Sequence, residues 1–162
     1  MAADPKALYQ EVILDHNRKP RNYGSLGHST HHAEGVNPLC GDHIDVALDV
    51  AGDTIGSIAF HGESCAICKA SASMMTVAVK GKRRDEAEAM IGEFVDMATG
   101  RIDARDGRHI GRLAVFAGIS ELPMRVKCAI LPWYTLRAAF NAAGTASTEA
   151  DDDPMHTPIG DA

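Results

Sequence analysis

Residues 43–50 constrain the fold of this chain more than any other stretch. Ile44, Val46, Leu48 and Val50 alternate strictly with His43, Asp45, Ala47 and Asp49. A period of two gives a strand with one buried face and one solvated face. Gly52-Asp53 turns the chain, and Thr54 to Phe60 reads as the returning strand of a hairpin. Its alternation slips near Gly56, which marks a bulge. The character then changes to helix. Residues 65–80 are rich in Ala and Met and end at Gly81. Residues 84–99 place Ala87, Met90, Ile91, Phe94 and Ala98 on one face and end at Gly100. Strands first and helices afterwards predict an α+β domain, a small antiparallel sheet packed against several helices.

The flanking segments are weaker signals. Asp4-Pro5 reads as a helix start, with Asp as N-cap and Pro at the first helical position. Leu8, Val12 and Ile13 follow at helical spacing, and Pro20 with Asn22–Gly24 ends the run. That short amphipathic helix is expected on the outside of the domain. Residues 25–36 carry three histidines and several small residues, and an edge strand is one reading. Residues 101–111 read as a loop, 112–117 as a short helix and Pro123 to Ala142 as the last helix. Pro132 cannot donate to the carbonyl of Cys128. Either that helix kinks, or its regular part begins close to Cys128.

The 162 residues fit one domain, and 45% of them are apolar, enough for an ordinary core. We place that domain at residues 1–143. Residues 144–162 read as a disordered tail, with Glu149, Asp151, Asp152, Asp153 and Asp161, and no Lys or Arg after Arg137. The formal net charge of −6, from 16 Lys and Arg against 22 Asp and Glu, argues against nucleic acid as a partner. No apolar run reaches the ~18 residues of a membrane span. Met1 to Lys6 lack the apolar stretch of a signal peptide. A cytoplasmic location is expected, and there thiols stay reduced and separated cysteines bind metal or do chemistry.

Cys40 falls in the turn-like Gly35–Asp42 segment before the first clear strand, Cys65 where hairpin gives way to helix, and Cys128 near the start of the last helix. Such junctions keep thiols reachable, and a helix N-terminus lowers a thiol pKa. Asp42 lies two residues beyond Cys40, with Gly41 between them free to turn. Three thiolates and a carboxylate make a sensible tetrahedral zinc set. Spacing alone leaves that reading open beside a second one, three buried cysteines acting as small apolar residues.

Three segments carry a resemblance that separates the two. Asn37-Pro38-Leu39-Cys40-Gly41-Asp42, Gly62-Glu63-Ser64-Cys65-Ala66-Ile67 and Pro123-Met124-Arg125-Val126-Lys127-Cys128-Ala129 resemble, in order, the three cysteine motifs of the U-type iron–sulfur scaffold family. The Leu14-Asp15-His16-Asn17-Arg18-Lys19-Pro20-Arg21-Asn22 run is also similar to that family, and the match spans roughly residues 5 to 140. Lys127 stands where the IscU type has a histidine, and residues 100–122 look like the insertion of the SufU type. The resemblance therefore points to the SufU branch. It implies the SufE/IscU-like scaffold fold and a zinc on Cys40, Asp42, Cys65 and Cys128. It also implies a carrier, not an enzyme in its own right, that takes sulfur on Cys40 from a SufS-like cysteine desulfurase and passes it to downstream iron–sulfur assembly proteins. The alternative is a scaffold on which an iron–sulfur cluster is itself assembled.

The remaining candidates weigh less. Cys68, at i+3 from Cys65, is expected to be a packed thiol outside the ligand set. His28, His31, His32 and His43 read as exposed sheet-edge residues, His43 being the one to watch beside Asp42. Met74, Met75, Met90 and Met97 are expected in the core. Arg125 and Lys127 flank Cys128, where they act either as cations favouring its thiolate or as solvated surface charges.

Overall fold

The computed structural model describes residues 5–148. Its elements run α1 (Pro5–Arg18), β1 (His31–Asn37), β2 (Asp42–Ala51), β3 (Thr54–Glu63), α2 (Ala66–Val79), α3 (Arg84–Ala98), 3₁₀ segments at Ala104–Asp106 and Gly111–Glu121, α4 (Pro123–Phe140) and β4 (Thr145–Ser147). The strand order is β3-β2-β1-β4. The first three strands form an antiparallel meander, and β4 joins β1 in parallel. The sheet is thus mixed, because α4 returns the chain across the sheet and delivers β4 in the same direction as β1.

The hairpin follows the alternation. Ile44, Val46 and Leu48 are fully buried, whereas His43 is exposed and Asp45, Ala47 and Asp49 are partly so. Asp49 pairs with Ser57 and Val50 with Ile55, so Gly56 is the extra residue of a bulge. β3 runs three residues past Phe60, to Glu63. Across the inner face, Trp133 of α4 stacks on Phe94 of α3 with ring centroids 4.6 Å apart and donates its indole N–H to Ser71 Oγ of α2 at 3.2 Å. The four methionines lie in this core. Removing the Trp133 ring would cost about 3–5 kcal/mol.

α1 packs on α2 through hydroxyls. His16 Nδ1 lies 2.7 Å from Ser73 Oγ, the Arg21 backbone N–H donates to the same oxygen at 2.8 Å, and Asn22 Nδ2 donates to Thr76 Oγ1 at 3.0 Å. α1 is therefore fastened to the helix that begins at Cys65. Asp4 lies outside the described residues.

Two expectations need correction. β1 is not an edge strand, because β4 covers its free side. Residues 145–148 are not tail: Thr145–Ser147 pair with Glu34–Val36, and Thr148 is buried. Residues 149–162 lie outside the described residues. The last helix runs from Pro123, as expected, and continues through Pro132 to Phe140. Where Pro132 removes a donor, Cys128 keeps a carbonyl free of its helical partner.

Candidate metal centre

Cys40 sits in the turn between β1 and β2. Gly41 has φ +72, a left-handed conformation that glycine adopts freely, and it sends the chain straight from Cys40 into Asp42. Asp42 begins β2 and points inward, 2% exposed. Gly62 crosses β2 so closely that a Cβ there would collide with the His43 carbonyl. That crossing lays the end of β3 against the start of β2 and brings Cys65, the N-cap of α2, beside Asp42. α4 carries Cys128 to the same place from the far end of the chain.

The four predicted residues meet. Cys128 Sγ lies 3.3 Å from Cys40 Sγ. The ligand atoms of Cys40, Asp42 and Cys128 all lie within 4.8 Å of one another. Cys65 stands outside that trio but touches it, its Sγ 3.9 Å from Asp42 Oδ2. Two sulfurs sharing one zinc at about 2.3 Å each lie at most about 4.6 Å apart. The 3.3 Å between Cys40 and Cys128 lies within that limit, and Cys65 is joined to the group through Asp42. At present its sulfur caps α2 by accepting from the Cys68 N–H at 3.4 Å.

The thiols are electrostatically unequal. The Cys65 thiol is held down to about 7, first because Cys128 donates to its sulfur and then through the amides of the α2 N-terminus, against burial and the Asp42 charge. Cys128 is pushed up by the bond it donates and by burial. Burial also raises Cys68, which is fully enclosed in the core, as expected of a packed thiol.

Two further residues support this site. Asn37 is fully buried and aims Nδ2 at Asp42 Oδ2 (3.4 Å) and at Cys128 Sγ (3.6 Å). Thr148 donates to Asn37 Oδ1 at 3.0 Å and so fixes which way the amide points. Asp42 Oδ1 in turn accepts the Cys65 N–H at 2.8 Å. Asn37 lies within the first cysteine motif and could have been singled out there. Thr148 had no signal of its own.

Among the described residues, no histidine joins the group of Cys40, Asp42 and Cys128. His28 precedes β1, and His31 is half-buried with its ring 6.2 Å from that of Phe140. His32 and His43 lie on the open face of the sheet, on inner strands and not at an edge. Arg125 is exposed and Lys127 half-buried on the first turns of α4.

Residues 8–129 match the family of NifU-like N terminal domains. The chain belongs to that family. Within it, the chain falls in the U-type scaffold group and its SufU branch. It is 41% identical over 134 residues to the zinc-dependent sulfurtransferase SufU of Bacillus subtilis (strain 168), covering 83% of this chain and 90% of that protein. It is 35% identical to the iron–sulfur cluster assembly scaffold protein IscU of Streptococcus pyogenes serotype M1, over 90% of this chain and 91% of the other. A crystal structure of an iron–sulfur cluster assembly scaffold protein for the SUF system, from Fervidobacterium islandicum AW-1, superposes with a TM-score of 0.77 at 33% identity, covering 82% and 96% of the two chains. The N-terminal domain of a NifU-like protein from Brucella abortus shares the fold, with a TM-score of 0.75 at 22% identity. No helix among the described residues is long and apolar enough to cross a membrane.

Proposed function

We propose that this chain is a sulfur carrier for iron–sulfur cluster assembly, accepting sulfur on Cys40 from the persulfide of a cysteine desulfurase. In this reading Cys40, Asp42, Cys65 and Cys128 hold a zinc ion. The donor set fits, since three sulfurs and one oxygen converge from three separate segments on a half-buried point. Bound zinc would keep its thiol ligands deprotonated.

The observation that carries the proposal is the contrast inside the trio. Cys40 is exposed while Cys128, 3.3 Å away, is buried. Only Cys40 rides on a glycine-containing turn that can swing outward without unwinding a helix. The transfer is a displacement of the thiol–disulfide kind. The Cys40 thiolate attacks the terminal sulfur of the desulfurase persulfide, the S–S bond breaks, and the desulfurase cysteine leaves as thiolate. Cys40 then carries the persulfide. No oxidant or reductant is consumed, and the chain turns over only in company with its donor and its acceptor.

The same donor set supports a second reading, a scaffold that holds the nascent cluster itself, because three thiolates and a carboxylate also suit iron. The IscU scaffold relatives favour it. One experiment tests both. Freshly purified protein is analysed for metal, then incubated with desulfurase and cysteine and examined by mass spectrometry. Zinc content and one added sulfur on Cys40 support the carrier. A brown protein with bound iron and sulfide supports the scaffold. Sulfur mainly on Cys68 or Cys128, with Cys40 unmodified, would overturn the role of Cys40.

A further inference from the structure

β2 presents the thiol centre to one side of the sheet and a different set of side chains to the other. Asp42 points inward, and His43 and Asp45 point out. The register sets Asp45 opposite Glu34 of β1 and opposite His61 of β3. On that open face His32 Nε2 lies 3.3 Å from Asp45 Oδ1, His61 Nδ1 lies 3.8 Å from Asp45 Oδ2, and His43 Nε2 lies 3.8 Å from Glu34 Oε2. Three imidazoles and two carboxylates, drawn from three strands, thus face one another.

Simple charge pairing accounts for each contact singly, and exposed pairs of that kind contribute little. It does not account for the convergence. The ligand atoms of Glu34, His43 and Asp45 all lie within 4.8 Å of one another. Asp45 is the most enclosed of the five, its side chain 19% exposed, and an imidazole stands near each of its oxygens. The spacing comes from the strand register, which fixes cross-strand neighbours about 4.5–5.5 Å apart at Cβ, and so does not depend on one mobile loop. Imidazole nitrogen with carboxylate oxygen is the donor mixture suited to nickel, zinc, copper or ferrous iron, and two carboxylates balance a double positive charge.

We infer that the open face of the sheet carries a second metal site, for a divalent first-row transition ion, formed by Glu34, His43 and Asp45 with His32 and His61 at its rim. It contains no sulfur. The chain would therefore hold two metal sites of opposite chemical preference on the two faces of one strand.

The test uses the full chain as purified, its metal content measured beforehand. Nickel(II) is added while the imidazole resonances are followed by NMR. A single equivalent is expected to broaden His43, His32 and His61 through the paramagnetic ion. His16 and His109, which lie on the helical side, stay sharp, and the metal already present is not displaced. H43Q and D45N should each weaken nickel binding at least about tenfold, whereas D49N, whose carboxylate pairs with His28, should leave it unchanged. Thermal unfolding of each variant checks that the fold is kept, and E34Q supplies a third substitution should one of them fold poorly. Sharp His43 and His61 signals at large nickel excess, equal broadening of all the histidines, or undiminished binding in both H43Q and D45N would overturn the inference.

Discussion

Cys40 and Cys128 lie 3.3 Å apart, yet they belong to regions of opposite character. Cys40 stands on a four-residue turn, exposed, between Leu39, itself 54% exposed, and a left-handed glycine. Cys128 lies on an 18-residue helix whose next twelve residues are nearly all buried. Cys65 belongs with Cys128: its backbone is the N-cap of α2, and its N–H is tied to Asp42. In the proposed ligand set, one movable thiol would therefore face two fixed thiols and a buried carboxylate. A carrier needs both kinds. A ligand set that is rigid throughout cannot offer a nucleophile to a second protein, and one that is mobile throughout cannot hold an ion.

The sharpest way to break that comparison is to remove the thiols one at a time. Cys40→Ala is expected to reduce sulfur uptake from a desulfurase about a hundredfold or more, as loss of an essential nucleophile does, while the fold persists. Cys128→Ala and Cys65→Ala should lose uptake as well, but together with the metal and with thermal stability. Cys68→Ala should retain most of the uptake. Mass spectrometry for one added sulfur, run beside melting curves, separates the classes. If Cys40→Ala melts as early as Cys128→Ala, the turn is as structural as the helix and the distinction fails.

Metal removal tests the fixed side next. Three of the ligands are remote in sequence, so binding energy is also folding energy. A site kept near 1,000 times its Kd contributes about 4 kcal/mol. In a domain of this size that corresponds to a fall in Tm of about 8–16 °C on chelation. An unchanged melting curve after verified metal removal would contradict the proposed ligand set.

A smaller effect is expected behind the site, and it sharpens the contrast. Thr148 holds Asn37, and Asn37 reaches Asp42 and Cys128, both on the fixed side. Ending the chain after Ala143 removes β4 and Thr148, and should weaken metal binding about tenfold, the lower end for a supporting hydrogen bond. Ending it after Thr148 should change neither metal binding nor sulfur uptake. Competition with a chromogenic chelator measures the difference. Equal affinities for the two truncations would show that Asn37 needs no such support.

This is also where the sequence was least legible. β2 could be read because its period of two is carried by contiguous residues, and the bulge at Gly56 because the slip is local. The four candidate ligands were accessible through three short motifs, each complete within a few residues. Thr148 was not: it lies in a polar stretch without an apolar stripe, and its role exists only because α4 lands it beside β1. β1 looked like an edge for the same reason, its outer neighbour lying 111 residues on. The cluster on the open face was half visible, since His43 and Asp45 share a phase of the alternation. Their meeting with Glu34 and His61 depends on strand register, which no single segment encodes.

The smallest expected effect concerns how α1 is fastened to the fixed side, and it is read through pH. His16 contacts Ser73 of α2, the helix that Cys65 caps. Burial first, and the Arg21 guanidinium second, hold its pKa below the ordinary 6.5, against the opposing pull of Asp15. The native state therefore prefers neutral His16, whereas the unfolded chain takes up a proton once the pH falls below about 6.5. Where the unfolded state binds more protons, stability rises with pH. The contribution is thus fully present above about 6.5 and is lost as the pH drops from there through the lowered native value. His16→Gln keeps a polar partner for Ser73 and cannot titrate. Its Tm should fall less than that of the parent between neutral and mildly acidic buffer. Sulfur uptake at neutral pH should be unaffected, because Cys40 stands on the other side of the comparison. Identical pH profiles for the two proteins would mean that α1 is held without His16. A loss of uptake in the variant would mean that the turn and the helices are coupled more tightly than a movable ligand on a fixed frame allows.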